Sequence, residues 1–159
     1  MVVIVFGLGA VLYAFGSLQS MLHSGEVARY VARTRMHRKL QAMSGHYVVC
    51  GFGRMGSEVA RRIRLGGHQL IVIDNDPLAA ERANDEDFLV IEGDCETEQT
   101  LREASTERAT GLVATLGDDA GNVYLSLISK EMNPDIRLVS RASNEQSRRA
   151  LRRAGVDRC

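Results

Sequence analysis

The run Gly51-Phe52-Gly53-Arg54-Met55-Gly56 sets three glycines at the spacing GxGxxG, which suits the binding of an anion rather than a bond-breaking step. The first glycine lets the chain turn sharply off a strand. The second leaves no Cβ to hold backbone N–H groups away from a pyrophosphate, and the third lets the next helix lie close on the sheet. The anion then sits at the positive end of that helix. Asp74 closes the apolar run Leu70-Ile71-Val72-Ile73. A carboxylate there can accept hydrogen bonds from both hydroxyls of an adenosine ribose, and such charged bonds are worth roughly 1.5 to 3 kcal/mol each. The same charge repels a 2′-phosphate, so NAD(H), ATP or ADP is expected and NADP is not.

These residues need a strand before the turn, a helix after it and a second strand ending in the acid. Tyr47-Val48-Val49-Cys50 supplies the first strand, Ser57 to Leu65 the helix, and Leu70 to Ile73 the second strand. Strand and helix patterns then alternate without a repeat. Asp76 caps a second helix with Pro77 at its first position. Phe88 to Ile91 is a third strand, Glu98 to Ala104 a short helix and Gly111 to Leu116 a fourth strand. Asp118 or Asp119 caps a helix reaching Met132, where Pro134 blocks continuation, and Ile136 to Ser140 makes a fifth strand. Ser143 with Gln146 reads as a capping box for a last helix stopped by Gly155. This order predicts an α/β, Rossmann-like, doubly wound parallel sheet with strand order 3-2-1-4-5. The sixth strand is missing, and an unpaired edge is expected there.

The 159 residues have room for one domain and an appendage. Net charge is zero, but residues 23–66 carry nine Lys/Arg against two acids, and residues 67–159 eleven against eighteen. Cys50, Cys95 and Cys159 are far apart, with no CxxC and no histidine pair at ligand spacing, so neither a disulfide framework nor a metal site is indicated. A reducing cytosol suits such a domain.

Residues 1–22 contain no charged side chain and would span about 33 Å as a helix, against a hydrocarbon core of roughly 30 Å. They read as a transmembrane helix. Residues 23–45 form a basic helical linker whose Arg29, Arg33, Arg35, Arg38 and Lys39 place this end in the cytoplasm by the positive-inside rule. A signal peptide would need a basic start and an A-x-A-like site, and a buried core helix would need a partner helix. The basic cluster contains one aromatic residue, Tyr30, and no helix-turn-helix spacing follows, so nucleic-acid binding is not expected. The domain proper covers residues 46–159. Val123, Tyr124, Leu125, Leu127, Ile128 and Met132 spread apolar surface around most of one helix, more than a sheet-facing stripe requires, which suggests either a protein partner or cover by a further part of the protein. Arg148, Arg149, Arg152 and Arg153 read as a solvated basic face on the last helix.

On these motifs the chain resembles bacterial potassium channels with two membrane helices and a cytoplasmic RCK (TrkA-N type) domain, over nearly its whole length. Gly7-Leu8-Gly9-Ala10-Val11-Leu12-Tyr13-Ala14 resembles the end of a pore-lining inner helix, and Arg35-Met36-His37-Arg38-Lys39 the linker. His46 to Gly56, Ile73 to Pro77, Glu92-Gly93-Asp94, Gly117-Asp118-Asp119 with Asn122, and Arg141-Ala142-Ser143 resemble the RCK N-lobe. The resemblance implies a homo-oligomer, with paired RCK domains under a tetrameric K⁺ pore in the bacterial plasma (inner) membrane and the RCK domain in the cytoplasm. It implies a regulatory adenine nucleotide, NAD(H) or ATP/ADP, and no enzyme activity. Gly51, Gly53 and Gly56 would hold the phosphates, Asp74 the ribose, Asp94 would lie near the adenosine, and Arg54 could reach a terminal phosphate. Phe52, Met55, Asn75 and Cys95 complete the expected nucleotide-binding set, with no catalytic and no metal-binding residue. Calcium-gated relatives carry acids where Arg141 and Ser143 stand, so calcium gating is not carried over. No TVGYG filter is present, and the chain looks like a fragment that does not conduct ions alone. The alternatives are the cytoplasmic domain of a Kef-like, potassium-linked antiporter and part of an NAD-dependent dehydrogenase.

Overall fold

The computed structural model describes Leu40 and residues 42–159. The membrane helix expected at 1–22 and the linker through residue 39 lie outside the described residues. Among the described residues no helix is long and apolar enough to cross a membrane.

Five short strands, β1 (Tyr47–Cys50), β2 (Leu70–Asp74), β3 (Leu89–Glu92), β4 (Gly111–Ala114) and β5 (Arg137–Ser140), form one parallel sheet in the order β3-β2-β1-β4-β5. Val48, Val49 and Cys50 are fully buried, as are Ile71, Val72 and Ile73, because both faces of a parallel sheet are covered by its crossovers. Side chains alternate between faces. Val49, Leu70, Val72, Val90 and Val113 share a cluster with Phe52, Ala60, Ala79, Ala80, Ala83 and Phe88, which belong to or flank helices α1 (Arg54–Leu65) and α2 (Pro77–Asp85). A short helix α3 (Glu98–Glu103) and a 3₁₀ turn (Thr106–Arg108) precede β4. Helix α4 (Asp119–Met132) packs on β4 and against α5 (Glu145–Arg153).

The sequence expectation of a doubly wound sheet in this order holds, and several boundaries differ. Helix α1 begins at Arg54 instead of Ser57, so the second half of the glycine motif is already helical. Strand β4 ends at Ala114, and residues 115–118 turn away as a loop. Asn144, not Ser143, caps α5, its side chain accepting the Ser147 N–H at 2.8 Å. Ser143 is diverted because its N–H, at 3.1 Å, and its hydroxyl both bond the Asp119 carboxylate, a charged acceptor. The outer edge of β5 is also not bare. Arg158 forms a parallel bridge with Val139, and the Ser140 N–H donates to Arg158 O at 2.9 Å, so the position of a sixth strand is already marked.

Helix α4 reverses a simple apolar-stripe reading. Its buried residues are Gly121, Asn122, Leu125, Ser126 and Ser129, while Tyr124 and Leu127 are half exposed. Ser126 and Ser129 bury their hydroxyls by donating to the carbonyls four residues back, Asn122 O and Leu125 O, at 2.7 Å each.

Candidate functional site

A cleft of about 730 Å³ opens at the carboxyl ends of the strands, where the order reverses on either side of β1. Crevices of open α/β sheets lie there. Gly51, Gly53, Arg54 and Met55 line its centre; Asp74, Asn75, Gly93, Asp94, Cys95 and Glu96 line one side; Thr115, Leu116, Gly117, Asp118 and Arg141 line the other.

The three glycines of the turn have separable causes. Gly51 has φ +93°, and a Cβ there would come within 3.0 Å of Thr115 O. A Cβ on Gly56 would fall 1.8 Å from Gly51 O, so this residue lets α1 lie against the end of β1. Both are explained by the protein's own packing. Gly53 is not: its φ of −74° is open to any L-residue, and a Cβ would meet nothing within 4 Å. The space it leaves free belongs to the cleft.

The start of α1 reinforces this. Helices α2, α3, α4 and α5 are capped by the side chains of Asp76, Thr97, Asp118 and Asn144, whereas α1 has Gly53 at its cap and no side-chain hydrogen bond. The first-turn N–H groups have no helical acceptor and carry the positive end of the helix dipole. They adjoin the cleft through Gly53, Arg54 and Met55.

Asp74 reaches across to this turn. One oxygen accepts the Phe52 N–H at 2.5 Å and the other the Asp76 N–H at 2.9 Å, so the carboxylate fixes the glycine turn and the entry to α2 at once. Each oxygen keeps a lone pair for a ligand hydroxyl. The Gly93 N–H donates to Asp74 O at 2.9 Å, which brings the β3 loop alongside. There Asp94 accepts the Glu96 N–H at 2.8 Å and orders the acidic rim.

On the opposite side, Thr115 Oγ1 donates to the carbonyls of Cys50 and Gly51 at 2.9 and 3.0 Å. Fully buried Asn122 accepts the Leu116 N–H at 3.0 Å and donates to Leu116 O and Arg141 O, fastening the loops after β4 and β5 together. Hydrogen bonds from Ser143 and then Ser147 hold the Asp119 carboxyl below its ordinary range. Under the floor, burial first and the neighbouring Cys95 second push the Cys50 thiol well up, so it stays protonated and inert. Cys95 Sγ contacts Ile73 O at 3.6 Å.

Eight of the ten residues expected from sequence meet in the cleft: Gly51, Gly53, Arg54, Met55, Asp74, Asn75, Asp94 and Cys95. Phe52 and Gly56 do not line it. The Phe52 ring is buried edge-on against Phe88, with centroids 5.6 Å apart, and only its N–H serves the site through Asp74. Sequence reasoning did not place Gly93, Glu96, Thr115, Leu116, Gly117, Asp118 or Arg141 in the site. The signal available was position, since each follows the end of β3, β4 or β5. Among the described residues no group of three or more His, Cys, Asp and Glu side chains is arranged to hold a metal.

The TrkA-N domain model matches residues 47–159. The chain belongs to the TrkA-N domain family. Two potassium channel proteins of Methanocaldococcus jannaschii are similar along nearly all of it: potassium channel protein 1 at 32% identity, covering 96% of this chain and 46% of that protein, and probable potassium channel protein 2 at 35%, covering 96% and 45%. The chain thus spans less than half the length of these curated relatives. The glutathione-regulated potassium-efflux protein KefC of Enterobacter sp. (strain 638) is 29% identical over 69% of this chain and 18% of its own. Among solved structures, the GsuK RCK domain matches with TM-score 0.62 at 32% identity, covering 74% of this chain and 25% of that one. The GsuK channel bound to NAD has the same fold, with TM-score 0.67 at 19% identity over 74% of this chain and 21% of that one.

Proposed function

We propose that this TrkA-N domain senses an adenine nucleotide and regulates a potassium channel to which its N-terminal segment connects it. The observation that carries the nucleotide reading is Gly53, a glycine that neither backbone conformation nor packing requires, at the uncapped start of a helix. A phosphate fits that gap, and Asp74 stands where the ribose would lie. GsuK, whose RCK domain is among the similar structures, has been solved with NAD bound, which supports the same ligand class here.

The channel reading rests on the similarity to the two M. jannaschii proteins, which runs through 96% of the chain and so includes residues before the domain. On this reading residues 1–22 are a pore-lining helix, 23–45 a linker and 46–159 the sensor. The assembly is a homo-oligomer in the plasma membrane with the sensor in the cytoplasm, and the half-exposed Tyr124 and Leu127 suit a protein partner. The sensor acts by binding and not by catalysis. A Kef-like regulatory domain is the second reading, favoured by the KefC similarity. A filter sequence upstream of Met1 in the gene supports the channel, and a dozen upstream membrane helices support the antiporter.

Calorimetry of the intact 159-residue chain with NAD, NADH, ATP and ADP tests the nucleotide reading. At least one is expected to release or absorb heat with one-site stoichiometry. Gly53→Ala should weaken that ligand about tenfold or more while leaving the melting temperature within a few degrees, since the added methyl meets only the ligand's space. Silence with all four nucleotides rejects the reading.

A further inference from the structure

We propose that Arg141 reads the length of the ligand's phosphate chain, binding an anionic group beyond the first phosphate, so that nucleoside di- and triphosphates are preferred over a monophosphate. The inference rests on the cleft being the nucleotide site proposed above.

The charges around the cleft are sorted by side. Asp74, Asp94 and Glu96 stand on the β2–β3 side with no cation among the lining residues there, Arg54 stands at the turn, and on the other side Arg141, after β5, is accompanied by a single lining carboxylate, Asp118. A nucleotide with its ribose hydroxyls on Asp74 and its first phosphate at the start of α1 can extend its chain in two directions. One runs back toward three carboxylates. The other runs over β4 toward Arg141, and repulsion between like charges selects it.

Arg141 is also underused by the protein. A guanidinium has five N–H donors. Here Nη1 reaches only Leu116 O and Gly117 O, both at 3.5 Å, which is long for such bonds. It forms no ion pair among the described residues, and neither does Arg54. The nearest opportunities are already engaged. Asp119 is taken by the N–H and hydroxyl of Ser143, and Asp118 accepts the Gly121 N–H at 2.7 Å as the cap of α4. The Asp119 carboxylate still feels the Arg141 charge, but without an ion-pair contact it leaves the guanidinium donors available to a ligand. The Arg141 N–H donates to Ala114 O at 3.0 Å, so the side chain projects from a fixed point of the backbone. An arginine held in this way, with spare donors in planar array, suits a phosphate.

The test is calorimetry of the intact chain and of its Arg141→Gln and Arg141→Lys variants with AMP, ADP, ATP and NAD, without added divalent cation. For Arg141→Gln, AMP affinity should stay within about twofold of wild type and ATP affinity should fall about tenfold or more, the loss of a charge-assisted bond. Arg141→Lys should recover part of the ATP loss, and both variants should melt within a few degrees of wild type, since the Arg141 side chain makes only the two long hydrogen bonds. An equal loss for AMP and ATP, a loss confined to NAD, or no loss at all overturns the proposal. If wild type binds none of the four, the nucleotide reading itself fails. If wild type binds and the ladder is flat, only the role of Arg141 fails.

Discussion

At the scale of single residues, the motif and its partner acid do more than one thing, and the two kinds of work separate under mutation. Gly56→Ala puts a methyl into the backbone carbonyl of Gly51, so it should destabilise the domain by about 1 to 3 kcal/mol, the ordinary cost of overpacking, whereas Gly53→Ala should not. Asp74→Ala removes acceptors from the N–H groups of Phe52 and Asp76. Its expected outcome is a loss of stability of about 1 to 3 kcal/mol in urea unfolding together with weakened nucleotide binding, in contrast to Gly53→Ala, which affects binding alone. A variant that loses neither stability nor affinity would remove Asp74 from the site. The sequence made the three glycines and the acid legible as a set, because spacing is a linear property. It could not separate Gly53 from Gly56, since that depends on what a Cβ would touch in three dimensions. For the same reason Phe52 looked like a site residue: its backbone serves the turn while its ring belongs to the core.

At the scale of elements, the strand order was readable because β1, β2 and β4 are short apolar runs and because Asp76 and Asp118 mark the starts of α2 and α4, whereas the Thr97 and Asn144 caps were not read. What escaped was the contribution of loops after β4 and β5, which come to the cleft only once Asn122 ties residues 116 and 141 together. Another contact far apart in sequence joins the residues just before β1 to the 3₁₀ region. Ser105 Oγ donates to Leu40 O at 3.0 Å, the Gly45 N–H to Arg108 O at 2.9 Å, and fully buried His46 bonds Ala104 O through Nε2 at 2.8 Å. A carbonyl accepts only, so Nε2 carries the proton. Burial is the main cause of the lowered pKa of His46; the Arg108 charge adds to it and the Ala104 bond opposes it. The folded state therefore binds this proton less readily than the unfolded chain, whose histidine titrates near 6.5. Stability from His46 is complete above about pH 6.5 and falls as pH drops from there through the lower folded value. Urea unfolding between about pH 7 and 5 should show this slope, and His46→Gln should flatten it. The carboxylates of Glu86, held low chiefly by Arg61, and of Asp119 act in a more acidic window and do not account for it.

At the scale of the whole molecule, sensing requires that occupancy of the cleft change a free energy that some other part can read. The cleft is built from the carboxyl ends of all five strands together with the start of α1, so a ligand in it bridges the loops on both sides of the point where the strand order reverses. Binding that favours the folded domain must then raise its stability by mass action, by about 2.7 kcal/mol at a nucleotide concentration one hundred times Kd. For a domain of this size that is a rise in Tm of about 10 °C, logarithmic in ligand concentration, which differential scanning fluorimetry can follow. The rise should fall to about half or less in Gly53→Ala, whose Tm without ligand stays close to wild type, and a Tm that stays flat for a nucleotide that demonstrably binds would mean the ligand does not distinguish the states it must act on. Gating needs such a difference between two folded states. Moving a pore from 1:99 to 99:1 takes about 5.5 kcal/mol, and typical site couplings are about 1 to 3 kcal/mol, so one domain falls short and several acting together suffice. That arithmetic supports the oligomer proposed for the sensor.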